Sequence, residues 1–208
     1  SGILITLAGE SLFILLILTM IASLILGMGL PTAPVYIILA ILVAPTLVNM
    51  GVEPIAAHLF VLYFGIISAI TPPIALAGYA AAAIAKTNPI GASVSAFKIG
   101  LVAFLLPYMF VYSPELLMMG GPGEITISVL ISLIGIIALA SFLQGNFFGC
   151  SANIIQRSLF MISAFTLIFS GEVTDLIGLA VFLIVALWTM WNKKVSSVPN
   201  TGQERRSS

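Results

Sequence analysis

GMGLPTAP, residues 27–34, and SAITPP, residues 68–73, are two short interruptions in a chain that is otherwise almost continuously apolar. The first holds Gly27, Gly29, Pro31 and Pro34, and the second holds Pro72 and Pro73. Glycine frees the backbone, while proline removes a donor and strips the carbonyl one turn earlier of its partner. Thr71, directly before Pro72, is pushed out of the helical region into extended backbone. Neither interruption carries a charge, so neither reads as an ordinary aqueous loop. Non-helical backbone at membrane depth survives only inside protein or beside a water-filled cavity.

The surroundings of both motifs make lipid the only solvent that fits. Hydrophobic residues are 61% of the 208 positions, charged residues 7%, and the mean hydropathy is +1.24. A soluble domain of this length needs far more polar surface. Nothing resembles a basic patch, so no nucleic-acid partner is expected, and the zero formal net charge says nothing about an acidic one. Cys150, the one cysteine, excludes an intrachain disulfide and a multi-cysteine metal site. No nucleophile–base set, metal-ligand cluster or nucleotide loop is present, and GMGLPT lacks the lysine and preceding strand of a phosphate-binding motif. The expectation is therefore a non-enzyme without an organic cofactor.

Apolar stretches at 11–30, 33–50, 55–85, 96–112, 125–144, 158–170 and 175–191 predict an all-α integral membrane protein. Lys86 and Lys98, Arg157 and the basic tail alternate with segments carrying only Glu115 and Glu124, or Glu172 and Asp175. By the positive-inside rule that places residues 113–124 and 171–175 outside and the tail inside. Working back, 55–85 descends inward and Glu53 lies outside. Residues 10–50 then read as a re-entrant hairpin opening outward; two full spans joined by a tight apolar turn fit the spacing as well. Glu10 belongs at the outer interface, where it escapes the cost of an acid at the bilayer centre. The stretch 55–85 is too long for one span and reads as a helix broken at SAITPP, although a proline kink has the same signature. Two neighbouring interruptions favour the broken helix, since interrupted hydrophobic segments point to a transporter's binding site. Residues 113–192 supply additional C-terminal helices. Trp188, Trp191, Lys193 and Lys194 suit an inner-interface anchor, and residues 193–208 read as a disordered basic cytoplasmic tail. The apolar start at Ser1 reads as the C-terminal part of a larger membrane protein.

The stretch GMGLPTAPVYIILAILVAPTLVNMGVEPIAAHLFVLYFGIISAITPPIALAGYAAAAIA resembles the C-terminal half of the large membrane subunit of tripartite ATP-independent periplasmic (TRAP) transporters. AAHLFVLYFGIISAITPPIALA resembles the TAXI subgroup, in which the small and large membrane subunits are usually fused. The likeness is close over residues 1–112 and looser at RSLFMISAFTLIFSGEVTDLIGL. It implies a sodium-driven, elevator-type symporter for organic acid uptake in a bacterial or archaeal cytoplasmic (inner) membrane. Its partners would be a periplasmic TAXI-type solute-binding protein, the N-terminal half of the same permease, and the lipid bilayer.

Residues 1–112 then form the second of two inverted repeats: hairpin 10–50, broken helix 55–85 and helix 96–112. The resemblance implies ion and substrate contacts at Gly27, Gly29, Pro31, Thr32, Ser68, Ala69, Thr71 and Pro72. Sodium would take hydroxyls of Thr32, Ser68 and Thr71 with backbone carbonyls around Gly27, Gly29 and Ala69. Helix N-termini after Pro31 and Pro72 would face a substrate carboxylate. The commoner fate of a membrane serine or threonine is a bond back to its own helix. A proton-coupled transporter is the nearest alternative and a purely structural membrane subunit a weaker one. His58, the only histidine, reads as an interfacial or cavity hydrogen-bonding group rather than a proton relay.

Overall fold

The computed structural model of the chain describes residues 6–9, 11–168 and 171–196. Ten helices carry the described chain from Ser11 onward. They are α1 (Leu12–Gly27), α2 (Thr32–Leu42), α3 (Ala44–Asn49), α4 (Pro54–Ile67), α5 (Leu76–Ala85), α6 (Pro89–Gly100), α7 (Leu106–Tyr112), α8 (Pro122–Gln144), α9 (Ile154–Ile168) and α10 (Glu172–Ser196). Short 3-10 turns at Ser68–Ile70, Leu101–Phe104 and Pro114–Leu117 join some of them. Among the described residues the only sheet is a two-stranded hairpin, β1 (Asn146–Phe147) and β2 (Cys150–Ser151). The fold is all-α, and four stretches are long and apolar enough to cross a bilayer: Thr32–Asn49, Pro89–Tyr112, Pro122–Gln144 and Val173–Trp191. Exposed Ile84, Ile99, Ile127, Leu176 and Leu187 give the helices the apolar outer faces that lipid requires.

Several predicted boundaries move. The loop expected at 86–98 shrinks, because Asn88 caps a helix that begins at Pro89; its side-chain oxygen accepts from the amide of Ile90 at 2.9 Å. Asparagine followed by proline is a strong helix start. The stretch expected from 158 starts four residues earlier, at Ile154, and α10 continues through Ser196. Lys193 and Lys194 therefore sit on helical backbone instead of opening a disordered tail. Glu10 and residues 197–208 lie outside the described residues.

The chain falls into two compact units, divided between Leu130 and Ile131. In the first, α1, α2, α3 and α7 all pack on α4. Phe60, Phe64 and Tyr108 interlock edge to face, with ring centroids 4.9–6.0 Å apart. Tyr108 also donates its hydroxyl to the Met20 sulfur at 3.3 Å, which ties α7 to α1. In the second unit α9 and α10 form an antiparallel pair. Ser163 donates to the Gly178 carbonyl at 2.8 Å, and Phe160 and Phe182 meet with Phe147 of β1.

Candidate functional site

The ends of α1 and α4 meet in the first unit, with the starts of α2 and α5 following them in the chain, and local chemistry explains each. α1 stops at Gly27, followed by Met28, Gly29 at φ +83° and Leu30, before Pro31 opens α2. α4 stops at Ile67 and tightens into the 3-10 turn Ser68–Ile70. Thr71 is extended at φ −97°, ψ 124°, as its position before Pro72 requires. A cis Pro72–Pro73 bond and a left-handed Ala75 then precede α5. That helix begins at Leu76, so the second N-terminus expected just after Pro72 lies four residues further on.

Gly27 is where the tip of α1 meets the break in α4. A methyl group built on it would lie 2.5 Å from the Ser68 hydroxyl oxygen and 2.8 Å from the Gly65 carbonyl oxygen. Only glycine allows this approach. Gly65 in turn accommodates α2, since a methyl there would lie 2.8 Å from Val35. The α1 and α2 arms therefore close on the same turn of α4. At the far end α3 lies beside the start of α4, with the Val52 amide donating to the Leu47 carbonyl at 3.1 Å. The two arms thus run in opposite directions along α4.

Gly27, Ser68 and Thr71 are buried, with Ser68 1% and Thr71 8% exposed. Ala69 and Pro72 are half-buried. Gly29 is exposed and faces Ile74, whose Cδ1 would lie 3.9 Å from a methyl at that position. Pro31 and Thr32 are exposed at the start of α2. The structure brings Gly27 and Ser68 together, and puts Thr32 on the surface of this unit.

The hydroxyls of Ser68 and Thr71 both bond back along their own segment. Thr71 donates to the Ile67 carbonyl at 2.8 Å, and Ser68 donates to the Gly65 carbonyl at 2.6 Å. Each has given away its proton, which leaves oxygen lone pairs as acceptors for a cation. Ala69 contributes a carbonyl that helix geometry cannot satisfy, because the residues three and four positions on are Pro72 and Pro73 and have no N–H. Two helix C-termini, those of α1 and α4, point carbonyls into one region. Each carries roughly half a negative charge in partial-charge terms, and together they favour a cation.

The structure adds two residues that the motif reading missed. Ser23 and Thr19 lie one and two turns before Gly27 on the same face of α1, fully buried, and their hydroxyl oxygens have no protein partner. The four-residue spacing Thr19–Ser23–Gly27 was the available signal, a small-residue face of the kind that lets membrane helices approach. His58 is half-buried, and its Nδ1 lies 3.1 Å from the Tyr36 hydroxyl, linking α4 to α2 away from the break. Among the described residues no group of three or more His, Cys, Asp or Glu could hold a metal ion.

A family model described as tripartite ATP-independent periplasmic transporter, DctM component, matches residues 1–122. No curated protein and no solved structure matches the chain.

Proposed function

The chain belongs to the tripartite ATP-independent periplasmic transporter family, DctM component, and from that premise we propose that it carries one half of a sodium-coupled importer. In this reading it is part of a TAXI-type fused permease in a bacterial or archaeal inner membrane. A periplasmic solute-binding protein delivers an organic acid, and the N-terminal half of the permease supplies the other repeat. Residues 10–50 are the re-entrant hairpin and 55–85 the broken helix.

The observation that carries this reading is the seat of Gly27 on Ser68 and the Gly65 carbonyl. It joins the tip of one interrupted segment to the break of the next, the arrangement in which transporters bind ions and substrates. Sodium is a hard cation that accepts neutral oxygen ligands. The carbonyl of Ala69, the lone pairs of Ser68 and Thr71 and the last carbonyls of α1 fit that chemistry. A carboxylate is suited by the N-terminus of α2 at Thr32. Helix α1 has 16 residues, about 24 Å at 1.5 Å per residue, short of the roughly 30 Å hydrocarbon core. That shortfall favours a hairpin that enters and returns.

The test is uptake by the complete transporter in proteoliposomes, with its binding protein, under separately imposed sodium and proton gradients. Accumulation should follow sodium and persist when the proton gradient is collapsed. Accumulation driven by protons in sodium-free buffer would instead establish the proton-coupled alternative.

A further inference from the structure

The family match ends at residue 122, which leaves the second unit without an assigned role. Its charges are sorted by end. The contacts Ser163–Gly178 and Phe160–Phe182 set α9 and α10 antiparallel. Glu172 and Asp175 therefore lie by the C-terminus of α9, and Arg157 lies by its N-terminus. Eleven residues of helix, Arg157 to Ile168, separate the two ends by about 16 Å. Lys193 and Lys194 follow Trp188 and Trp191 on α10, which packs against β2 at the Arg157 end. Among the described side chains of this unit, Arg157 therefore stands at one end and Asp175 at the other.

That end also carries a built groove. Ile137, Ala140, Ser141, Gln144, Asn146 and Phe148 line a cavity of about 250 Å³. Its wall is apolar at Ile137 and Ala140 of α8 and becomes amide-bearing at Gln144, the end of α8, and Asn146 of β1. Gly145, between those two amides, lies against Arg157; a methyl there would be 3.4 Å from the guanidinium carbon. Arg157 donates from Nε to the Phe142 carbonyl at 3.0 Å and sits 5.8 Å from the Phe142 ring centroid. This use of one nitrogen leaves the other edge of the fork for a bidentate acceptor such as phosphate.

Phe148 supplies an independent observation. It stands at φ +45° beside Gly149 at φ +80°, in a tight turn where asparagine or glycine is the ordinary choice, and it is 76% exposed. A bulky side chain in that conformation is strained, and an exposed ring in water would add to the penalty. At a bilayer interface the ring is in a favourable medium.

We propose that the Arg157 end of this unit binds an anionic phospholipid, with its phosphate on Arg157 beside Gln144 and Asn146 and an acyl chain along Ile137 and Ala140. The occupant is a lipid because the apolar groove ends at Gln144 and Asn146, which flank the Gly145 that lies against Arg157, and because Phe148, Trp188 and Trp191 are exposed. The proposal requires only that the unit be embedded in a membrane, and holds whichever ion drives transport.

The experiment is native mass spectrometry of the complete transporter mixed with phosphatidylglycerol and phosphatidylcholine in equal amounts. Wild-type protein should retain the acidic lipid several-fold over the zwitterionic one. Arg157→Gln should bring the ratio close to unity, and Arg157→Lys should keep part of it by retaining the charge. Gln144→Leu, which leaves the Arg157 cap on α8 untouched, should also lower the ratio and guards against misfolding of the arginine variant. Equal retention of both lipids by wild type overturns the proposal. So does an unchanged ratio in Arg157→Gln and Gln144→Leu together. Displacement of the lipid by millimolar inorganic phosphate would mean a soluble-anion site, and also overturns it.

Discussion

Between Ser11 and Tyr112 the helices are 16, 11, 6, 14, 10, 12 and 7 residues long, separated by glycines, prolines and 3-10 turns. In the second unit α9 and α10 run 15 and 25 residues, and α8, which enters it, runs 23. The more interrupted region is also the more apolar one, so a lack of hydrophobicity does not account for the contrast. Unsatisfied backbone in hydrocarbon costs several kcal/mol per group. A chain keeps such interruptions only where neighbouring protein shields them. The first unit provides that shielding by closing two helical arms on the broken α4. Among the described residues of the second unit, Ser141, Ser158, Thr166 and Thr189 bond back within their own helices, and Ser163 bonds across to Gly178.

The largest effect should come from filling the seat of the tip. Gly27→Val places branched carbon against the Gly65 carbonyl, a backbone atom that cannot step aside. Overpacking of this kind costs about 1–3 kcal/mol, and here it falls on the contact that joins tip to break. Uptake should drop below a few per cent of wild type, with membrane insertion and abundance unchanged. The mirror experiment is Gly178→Ala in the second unit. A methyl at that position would meet Leu167 and Thr166 side chains at 2.7 Å, and these can rotate away. Stability should fall modestly and uptake should survive. Equal loss of uptake in both variants would erase the distinction between the units.

Next in size is Thr71→Val. The hydroxyl donates its proton to Ile67, so its contribution to a cation is through lone pairs. Loss of a bond to a charged group is worth about 1.5–3 kcal/mol, a rise of roughly ten- to a hundredfold in the sodium needed for half-maximal uptake. Thr32→Val should shift it much less, because Thr32 is exposed in this unit. The readout is the sodium dependence of uptake by the reconstituted transporter. A larger shift for Thr32 than for Thr71 would move the site to the exposed start of α2 at the hairpin tip.

The parts of this arrangement visible in the amino-acid sequence are those dictated by local chemistry. Thr71 had to leave the helix because Pro72 follows it, and Ala69 had to lose its helical partners because two prolines follow. The direction of the Thr71 hydroxyl was not visible, since it depends on which rotamer the surrounding packing selects. The left-handed Ala75 and the start of α5 at Leu76 were equally hidden, as alanine gives no turn signal. Asn88–Pro89 did announce a helix start, but Lys86 and Lys98 on either side suggested a loop. The β-hairpin at Asn146–Ser151 escaped notice because its turn is built on Phe148, a residue that marks apolar structure everywhere else in the chain. Thr19 and Ser23 looked like ordinary helix positions until their burial against α4 left both hydroxyls unpartnered.

A smaller effect is expected at Tyr36→Phe. The ring remains, and only the 3.1 Å link to His58 is lost. Such a bond nets about 0.5–1.5 kcal/mol. The α2 arm should loosen at the His58 end, seen as faster hydrogen exchange at residues 35–39, while the sodium dependence of uptake stays where it was. A changed sodium dependence would extend the ion site two turns along α4 and make His58 part of it.

The finest comparison sets two serines with the same bond against each other. Ser68 and Ser163 are both buried and both donate to a glycine carbonyl, at 2.6 and 2.8 Å. Ser68 bonds within its own helix, beside the Gly27 tip and the Ala69 carbonyl, which has no helical N–H partner. Ser163 bonds across to α10 between two continuous helices. Ser163→Ala removes one interhelical hydrogen bond, worth on average about 0.6 kcal/mol in a membrane protein. It should appear as a small loss of resistance to denaturing detergent, with sodium dependence intact. Ser68→Ala removes only a bond back along its own helix and should lower stability by less. It also removes an oxygen from the place where two helix C-termini meet, so it should raise the sodium requirement in addition. Identical sodium curves for the two variants would mean that the hydroxyl at the break serves only to hold the backbone. Any cation there would then rest on carbonyl oxygens, with Ala69 the first to examine.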